Sequence, residues 1–307
     1  MEFRQLQTLI TLIGEDFSVS RCADKLFIVQ SAVSQQLKRL EQELGNDLFI
    51  RKGKRLIGLT DFGGKIEQQA RMAMNCMGNI QRLAEDENRS NEGLLRIGCT
   101  HTQARYILPP VIHRFNRQFP NIELQIHQGN PQQLVQWAAN DLVDFSICTE
   151  ELAQSDQLES VACYRWNRCL ITRPGHPLQK LDSVSLNDLC EYPIITYVMG
   201  FTGRGNFDQA FRQAQLKPNT VLSAADTDII KAYVLDGLGI GVIASMAFNP
   251  DLDQALQSRD LNDLFQWETT RIAYLKNRYI RGYQKTFIDL FLLHIAGDDS
   301  HRFYAVN

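Results

Sequence analysis

The sequence predicts an α/β chain in which a small helical module precedes a larger module of alternating strands and helices. Three helical patterns follow one another within the first 45 residues, and a short basic segment comes after them. A regular heptad pattern then runs from residue 59 to residue 87. Beyond Gly93, strand and helix patterns alternate, which is typical of a sheet covered by helices.

Composition and length indicate a folded protein of several domains. The chain has 307 residues, 44% of them hydrophobic and 22% charged, which excludes disordered and fibrous architectures and leaves room for two or three cores. The longest apolar run, residues 238–248, is much shorter than the ~20 residues of a membrane helix. The first six residues lack a secretory pattern, and the seven cysteines show no CxxC spacing. We therefore expect a soluble, cytoplasmic protein with no membrane partner.

Charge is distributed unevenly along the chain. The overall net charge is −3, but residues 1–60 carry nine Lys or Arg against seven Asp or Glu, a net charge of +2. Residues 48–60 contain no acid and four bases, which are Arg51, Lys52, Lys54 and Arg55. On its own, such a run is more often a solvated turn than a binding surface. Next to a helical DNA-reading element, the same bases would neutralise phosphates.

The helical patterns supply such an element. Apolar residues from Phe3 to Ile13 recur at spacings of three and four, and Ser18 is a suitable N-cap for a second helix. A third helix is predicted over residues 30–44, with Gly45 as its stop. Its outward face carries short hydrogen-bonding side chains followed by cations, as base-edge and phosphate contacts in a helix-turn-helix require. These DNA-facing candidates are Gln30, Ser31, Ser34, Gln35, Lys38 and Arg39. The bases around Gly53 would then lie on a two-stranded wing; the alternative is a small helical subdomain with a polar surface.

The stretch QSAVSQQLKRLE at residues 30–41 resembles the DNA-binding domain of LysR-type transcriptional regulators. ADKL at residues 23–26 and LFIR at residues 48–51 extend the similarity. The resemblance implies a winged helix-turn-helix over residues 1–60 that binds double-stranded promoter DNA.

The heptad pattern predicts a linker and dimerisation helix over residues 61–88. Its a/d seam consists of Ile66, Ala70, Ala73, Met77, Ile80 and Ala84, and the small members allow two helices to approach closely. The alternative is one amphipathic helix that lies on its own domain. A dimer would place two recognition helices about 34–36 Å apart on successive half-sites.

The sequence of residues 89–307 predicts a ligand-binding module of two α/β lobes. The βαβ alternation indicates mostly parallel sheets. We expect lobe I over residues 93–162 and 269–295 and lobe II over residues 163–268, with a ligand cleft and a hinge between them.

Polar residues follow three of the predicted strands. Thr100, His101, Thr102 and Gln103 come after the first strand, and Thr149 and Thr202 come after two others. Ligands of open α/β sheets bind beyond the carboxyl ends of strands, and neutral hydroxyl and amide groups suit a small anion or a carboxylate. Each Thr taken singly is more often an N-cap. Their convergence favours a binding site.

This module resembles that of the CysB subgroup of LysR-type regulators, on THTQARY at residues 100–106, YRWNR at 164–168 and GFTGR at 200–204. The resemblance implies a two-lobed, periplasmic-binding-protein-like α/β effector domain that binds sulfate or an acetylserine-type compound. It also implies a homotetramer that activates sulfate-assimilation and cysteine-biosynthesis genes, with RNA polymerase as a candidate partner. The matching positions imply effector contacts by Thr100, Thr102, Gln103, Thr149 and Thr202, with Trp166 lining the pocket.

Other functional classes are less consistent with the sequence. No Ser/His/Asp or Cys/His pattern has catalytic spacing, and His101 has no second ligand at a metal-binding spacing, so we expect neither an enzyme nor a metal or organic cofactor. A two-lobed solute-binding protein is an alternative that the helix-turn-helix disfavours. A thiol redox sensor is another, because Cys99 and Cys148 fall at adjacent strand ends; buried free thiols are the commoner outcome.

Overall fold

A computed structural model describes residues 1–53, 55–88, 91–149, 151–201, 203–297 and 303–305. Residues 303–305 are described by their backbone alone. The chain forms two compact units. Unit 1 contains Met1–Asn88 and Asn277–Tyr279, and unit 2 contains Arg89–Lys276 and Ile280–Asn307. None of the described helices is long and apolar enough to cross a membrane.

Unit 1 is a winged helix-turn-helix followed by a long helix, as predicted. Its helices are α1 (Phe3–Gly14), α2 (Val19–Leu26), α3 (Gln30–Leu44) and α4 (Asp61–Asn88). An antiparallel hairpin of β1 (Phe49–Lys52) and β2 (Arg55–Leu59) forms the wing. Side chains from α1, α2, α3 and the hairpin build one core around Leu9, Leu12, Val33, Leu40 and Leu48.

Local sequence explains where these helices begin and end. The Ser18 hydroxyl accepts a hydrogen bond from the Arg21 backbone N–H at 3.4 Å, so the predicted N-cap of α2 is present. Gly45 follows α3 in the left-handed conformation, with φ of 69°, which only glycine adopts at little cost. At the start of α4, the Thr60 hydroxyl accepts from the Gly63 N–H at 2.9 Å.

The predicted heptad seam of α4 has two different environments. Ala70 is buried and Ile66 is half-buried, and both pack against the core of unit 1. Further along, Met77 and Ile80 are exposed, as is Leu83. The first part of the helix therefore packs on its own domain, as the alternative interpretation expected, and the second part presents apolar side chains to solvent.

Unit 2 contains a six-stranded and a five-stranded sheet. The six-stranded sheet has the order β13-β6-β12-β5-β3-β4, and the five-stranded sheet has the order β11-β7-β10-β8-β9. The strands of the first sheet are β3 (Gly93–Cys99), β4 (Ile122–Gln128), β5 (Phe145–Cys148), β6 (Leu158–Trp166), β12 (Glu268–Leu275) and β13 (Phe303–Ala305). Those of the second are β7 (Arg168–Thr172), β8 (Ile194–Tyr197), β9 (Thr220–Ala224), β10 (Ile240–Ala244) and β11 (Gln257–Asp260).

Helices cover both sheets and complete two lobes. Lobe I carries a π-helical turn (Gln103–Ile107), α5 (Leu108–Gln118), α6 (Pro131–Ala139) and α10 (Gly282–Ala296). Lobe II carries α7 (Leu186–Cys190), α8 (Arg204–Gln213) and α9 (Thr227–Asp236). Single 3₁₀ turns lie at Leu152–Gln154, Pro177–Lys180 and Ser245–Ala247. The predicted fold class is confirmed.

The sheets are mixed, however, and not mostly parallel as expected. β3 pairs in parallel with β4 and β5, and β8 with β9 and β10. β6, β7, β11, β12 and β13 pair antiparallel with their neighbours. The prediction missed β6, and with it the antiparallel pairing of β6 with β12 and β13 in the six-stranded sheet.

The chain crosses between the lobes twice. The first crossing is Asn167, which separates β6 from β7, and the second lies directly before Glu268, the first residue of β12. The buried Asn167 amide donates to the carbonyl oxygens of Asn262 and Phe265 at 3.2 and 3.0 Å. Arg168 and Glu268 form a buried ion pair of 2.7 Å between the two crossing strands. We propose these positions as the lobe boundaries, in place of residues 162 and 269.

Two neighbouring glycines at the start of α4 provide a test of the packing in unit 1. A Cβ on Gly63 would collide with the carbonyl oxygen of Leu48, whereas a Cβ on Gly64 would meet no atom. We expect Gly63→Ala to lower the free energy of unfolding of unit 1 by about 1–3 kcal/mol, as overpacked sites do. Gly64→Ala, the matched control, should raise it by about 0.5–1 kcal/mol through helix propensity. Thermal unfolding of both variants measures this; equal shifts of the same sign would contradict the packing.

Candidate functional site

The outward face of α3 is open along its length. Its predicted DNA contacts, Gln30, Ser31, Ser34, Gln35, Lys38 and Arg39, are all exposed, while Val33, Leu37 and Leu40 point into the core. Val29, the N-cap residue of α3, makes no side-chain cap. Gln30 is oriented from α2, because its amide donates to the Ser20 hydroxyl at 3.1 Å. This face has the uncharged-then-basic order of groups that reads bases and holds phosphates.

The bases of the wing differ in their surroundings. Lys52 and Arg55 are exposed, and no acid in the described part of the chain forms an ion pair with either. Arg51 instead pairs with Glu41 of α3 at 2.6 Å. Glu41 is buried and also accepts from the backbone N–H groups of Leu48 and Phe49. Arg51 therefore anchors the hairpin to α3 and contributes less free charge than predicted. Lys54 lies outside the described residues.

The predicted effector residues of lobe I lie at one edge of its sheet. Thr100, Thr102 and Gln103 are buried where β3 passes into the π-helical turn. Thr149 follows β5, which runs parallel to β3, so the ends of the two strands meet at the same edge. Thr202, from lobe II, lies outside the described residues.

A hydrogen-bonded network joins two of these residues, Gln103 and Thr149, to three others. The Tyr164 hydroxyl donates to the Gln103 amide oxygen at 2.6 Å and bonds to Thr270. The Thr270 and Thr149 hydroxyl oxygens are 3.3 Å apart, and the Trp166 indole N–H donates to Thr149 at 3.3 Å. We call these five residues the cleft network. It brings together three predicted contacts and two residues that the prediction missed, Tyr164 and Thr270, whose positions depend on the unpredicted pairing of β6 with β12.

Lobe II reaches the same place through Tyr197. Its hydroxyl is 2.7 Å from the Thr227 hydroxyl, accepts from the Ala244 backbone N–H at 3.2 Å and lies beside the Thr102 side chain of lobe I. Burial raises the pKa of Tyr197 to about 12, so the phenol stays protonated. Thr102 therefore bridges the two lobes in this structure.

A second bridge lies nearby, around Asp228 of α9. The Tyr106 hydroxyl donates to its carboxylate at 2.5 Å, and Arg105 and His101 lie 3.4 and 3.8 Å from it. Partial burial acts to raise the pKa of Asp228, but the bond from Tyr106 and the neighbouring positive charges outweigh it and hold the pKa below its usual value. The π-helical turn places Tyr106 toward lobe II and Gln103 toward the cleft network.

The two cysteines that suggested a redox pair point in different directions. Cys99 lies opposite Ile147 on the neighbouring strand, so Cys148 faces the other side of the sheet. Accordingly, Cys99 belongs to the main core of lobe I and Cys148 to a separate cluster under α6. Burial also raises the pKa of Cys99 to about 12. Among the described residues, no group of three or more His, Cys, Asp or Glu is placed to hold a metal ion.

Two known families cover most of the sequence. Residues 3–64 match the family described as bacterial regulatory helix-turn-helix protein, lysR family, and residues 88–295 match the LysR substrate binding domain. The chain belongs to the LysR family. It is therefore a DNA-binding transcription regulator, and members of this family are not enzymes. LysR regulators bind small-molecule effectors and promoter DNA and form oligomers.

Individual LysR regulators are similar over nearly the whole chain. The HTH-type transcriptional regulator SsuR of Burkholderia cenocepacia is 41% identical over 295 residues, which cover 96% of either protein. The HTH-type transcriptional regulator CysB of Haemophilus influenzae is 39% identical over 296 residues, covering 96% of this chain and 91% of that protein. Among solved structures, the cofactor-binding domain of the Cbl transcriptional regulator superposes with a TM-score of 0.62 at 37% identity, covering 65% of this chain and 87% of that chain. The predicted resemblance is confirmed.

The wing offers a test that separates phosphate binding from anchoring. Lys52→Ala should weaken DNA binding and lower the slope of log affinity against log salt by about 0.9, because one phosphate contact is lost. Its thermal stability should not change. Arg51→Ala should lower the free energy of unfolding of unit 1 by about 0.5–1 kcal/mol, since Glu41 loses a half-exposed partner. Identical salt slopes for Lys52→Ala and the unaltered protein would contradict the role of Lys52.

The thiols offer a second test. At pH 8, a thiol with a pKa of about 12 is ionised on the order of 10³ times less than an ordinary thiol of pKa about 8.5. In the native protein, Cys99 should therefore resist a thiol-labelling reagent, while the exposed Cys76 reacts. Unfolding in guanidinium should expose Cys99 at once. Peptide mapping after labelling measures both, and rapid native labelling of Cys99 would restore the redox interpretation.

Proposed function

We propose that this LysR regulator controls genes of sulfur assimilation and cysteine biosynthesis, chiefly as an activator, and that a small metabolite of that pathway gates it. Similarity to SsuR, CysB and Cbl over nearly the whole chain supports the proposal. The observation that carries the effector proposal is the cleft network, a buried set of uncharged donors at the carboxyl ends of β3 and β5.

The chemistry of the network favours sulfate or an acetylserine-type compound. Hydroxyl, amide and indole groups donate hydrogen bonds to the oxygens of sulfate or of a carboxylate. The Arg168 guanidinium lies 5.6 Å from the centre of the Trp166 ring, but Glu268 balances its charge, so uncharged donors would carry the recognition. We propose Thr100, Thr102, Gln103, Thr149 and Thr202 as the contacts, with Trp166 lining the pocket.

Effector binding and lobe closure would be linked through Thr102. In the structure its side chain lies beside the Tyr197 hydroxyl of lobe II. An effector that takes this hydroxyl as a ligand replaces a contact between the lobes with a contact to itself. The relative stability of closed and open arrangements then depends on the effector, as a gated regulator requires.

Self-association would use the exposed part of α4. Met77, Ile80 and Leu83 present apolar side chains on a helix whose earlier turns are already packed. Pairing of two such helices gives a dimer, and two dimers give the homotetramer that we propose. We also propose that the protein acts in the cytoplasm and contacts RNA polymerase at activated promoters.

The two alternatives are less well supported. A solute-binding protein has no use for the DNA-binding domain that residues 3–64 match. A dithiol sensor that uses Cys99 and Cys148 is disfavoured by their placement on opposite sides of one sheet.

A promoter footprint at fixed salt, with and without acetylserine and with and without sulfate, tests the proposed function. We expect one of the two compounds to change the protected region. No change with either compound, for a protein that still binds the fragment, would overturn the proposed effectors.

Thr102→Ala tests the site itself. A hydrogen bond to a charged group is worth about 1.5–3 kcal/mol, so the variant should bind the effector about 10- to 100-fold more weakly. Its DNA affinity without effector should stay unchanged. Thr286→Ala is the matched control, because the Thr286 hydroxyl donates within α10, to the Gly282 carbonyl oxygen at 3.1 Å. Calorimetric titration measures the affinities; equal effector affinities for the two variants would remove Thr102 from the site.

A further inference from the structure

Phe27, in the turn between α2 and α3, has an unusual combination of properties. Its side chain is 94% exposed, and its backbone is left-handed, with φ of 55° and ψ of 42°. A bulky residue in this conformation is strained relative to glycine. Folding alone gives no reason to retain a strained and solvated aromatic ring at this position.

Two other positions of unit 1, Phe17 and Gly45, have the same left-handed backbone conformation. Phe17 is also left-handed, with φ of 60°, but it is half-buried and packs against the core of unit 1. Gly45 occupies the corresponding position after α3, where only the backbone conformation is needed. Polar residues also take this conformation in exposed turns, as Asp16 and Gln215 do. Among the described left-handed residues other than glycine, Phe27 alone exposes a large apolar side chain to solvent.

Hydrogen bonds of the turn fix the backbone of Phe27. The Phe27 N–H donates to the Asp24 carbonyl oxygen at 3.2 Å, and the Ile28 N–H donates to the Ala23 carbonyl oxygen at 3.0 Å. Ile28 packs on the core. Val29, also well exposed, follows and leads directly into Gln30. The ring and Val29 therefore form an apolar extension of the DNA-facing surface of α3, which we call the turn patch.

We propose that the turn patch reads DNA, with the Phe27 ring packed against the 5-methyl group of a thymine beside the bases that the N-terminal end of α3 contacts. Apolar side chains distinguish thymine by this methyl group, which projects into the major groove. The patch is continuous with the polar face that starts at Gln30, and it lies on the module with net positive charge. The proposal depends on DNA binding by LysR regulators and is independent of the effector.

Phe27→Gly is the informative variant, because it removes the ring and relieves the backbone. We expect DNA affinity to fall about 5- to 30-fold, the effect of losing one well-packed apolar contact, while the melting temperature stays the same or rises. Gln215→Gly is the control, because Gln215 is also exposed and left-handed but lies in unit 2. It should lower neither the DNA affinity nor the melting temperature. Phe17→Gly should lower the melting temperature, since its ring packs on the core.

The DNA supplies the second half of the experiment. The probe is the promoter fragment that the unaltered protein protects in a footprint, at fixed salt and without effector. Replacing its thymines by uracil one at a time removes a single 5-methyl group in each probe. At one position, uracil should weaken binding of the unaltered protein and leave the affinity of Phe27→Gly unchanged, as a coupled pair requires.

Three outcomes would overturn the proposal. Unchanged DNA affinity of Phe27→Gly removes the contact. If Phe27→Gly lowers the affinity but no uracil substitution does, or if the two losses are additive, the ring does not contact a thymine methyl group. A change in oligomeric state of Phe27→Gly without DNA, measured by sedimentation, would assign the ring to contact between copies of the chain. None of these results bears on sulfate or acetylserine, so the proposed function is tested separately.

Discussion

The buried ion pair between Arg168 and Glu268 joins the two strands that pass between the lobes, and the effector module depends on it. Each residue begins a strand immediately after a crossing, and Arg168 also donates to the Gly203 carbonyl oxygen, while Asn206 donates to Glu268 at 2.9 Å. Removing one partner of such a pair leaves an unpaired buried charge, which typically costs about 3–5 kcal/mol. The crossings are therefore fixed relative to each other, and any closure of the lobes is a rotation about this point.

That fixed point lies next to the cleft network. Trp166 is two residues before Arg168, and Thr270 is two residues after Glu268, so both crossing strands contribute to the network directly. Tyr164 also lies on β6, and Gln103 and Thr149 follow strand ends of lobe I. Tyr197 of lobe II lies outside the network, beside Thr102. An effector bound here would contact lobe I through the cleft network and lobe II near Tyr197, so it would touch both lobes that move relative to each other. Placing the site at the hinge allows a small ligand to influence the whole module.

Sequence reasoning succeeded where short-range patterns decide the structure. The apolar face of α3 and Gly45, the basic hairpin and the extent of α4 can all be read from residues that are close together in sequence. It failed where distant pairing decides: β6 carries no clean alternation, and only its pairing with β12 makes it a strand and places Tyr164 in the network. Likewise, the four basic residues of the wing look equivalent in sequence. Arg51 alone of those described forms an ion pair, with Glu41 ten residues earlier.

The contacts of Thr102 also limit how strongly an effector can act. A ligand shifts an equilibrium between two arrangements only by the difference between its affinities for them. If the ligand takes the Thr102 hydroxyl from Tyr197, one hydrogen bond is exchanged for another, and the Tyr197 phenol keeps its partners Thr227 and Ala244. The net difference is then a fraction of the full binding energy, in the range of about 1–3 kcal/mol that is typical of allosteric coupling. A regulator built in this way changes its DNA complex by a graded rearrangement and retains affinity for DNA in both states.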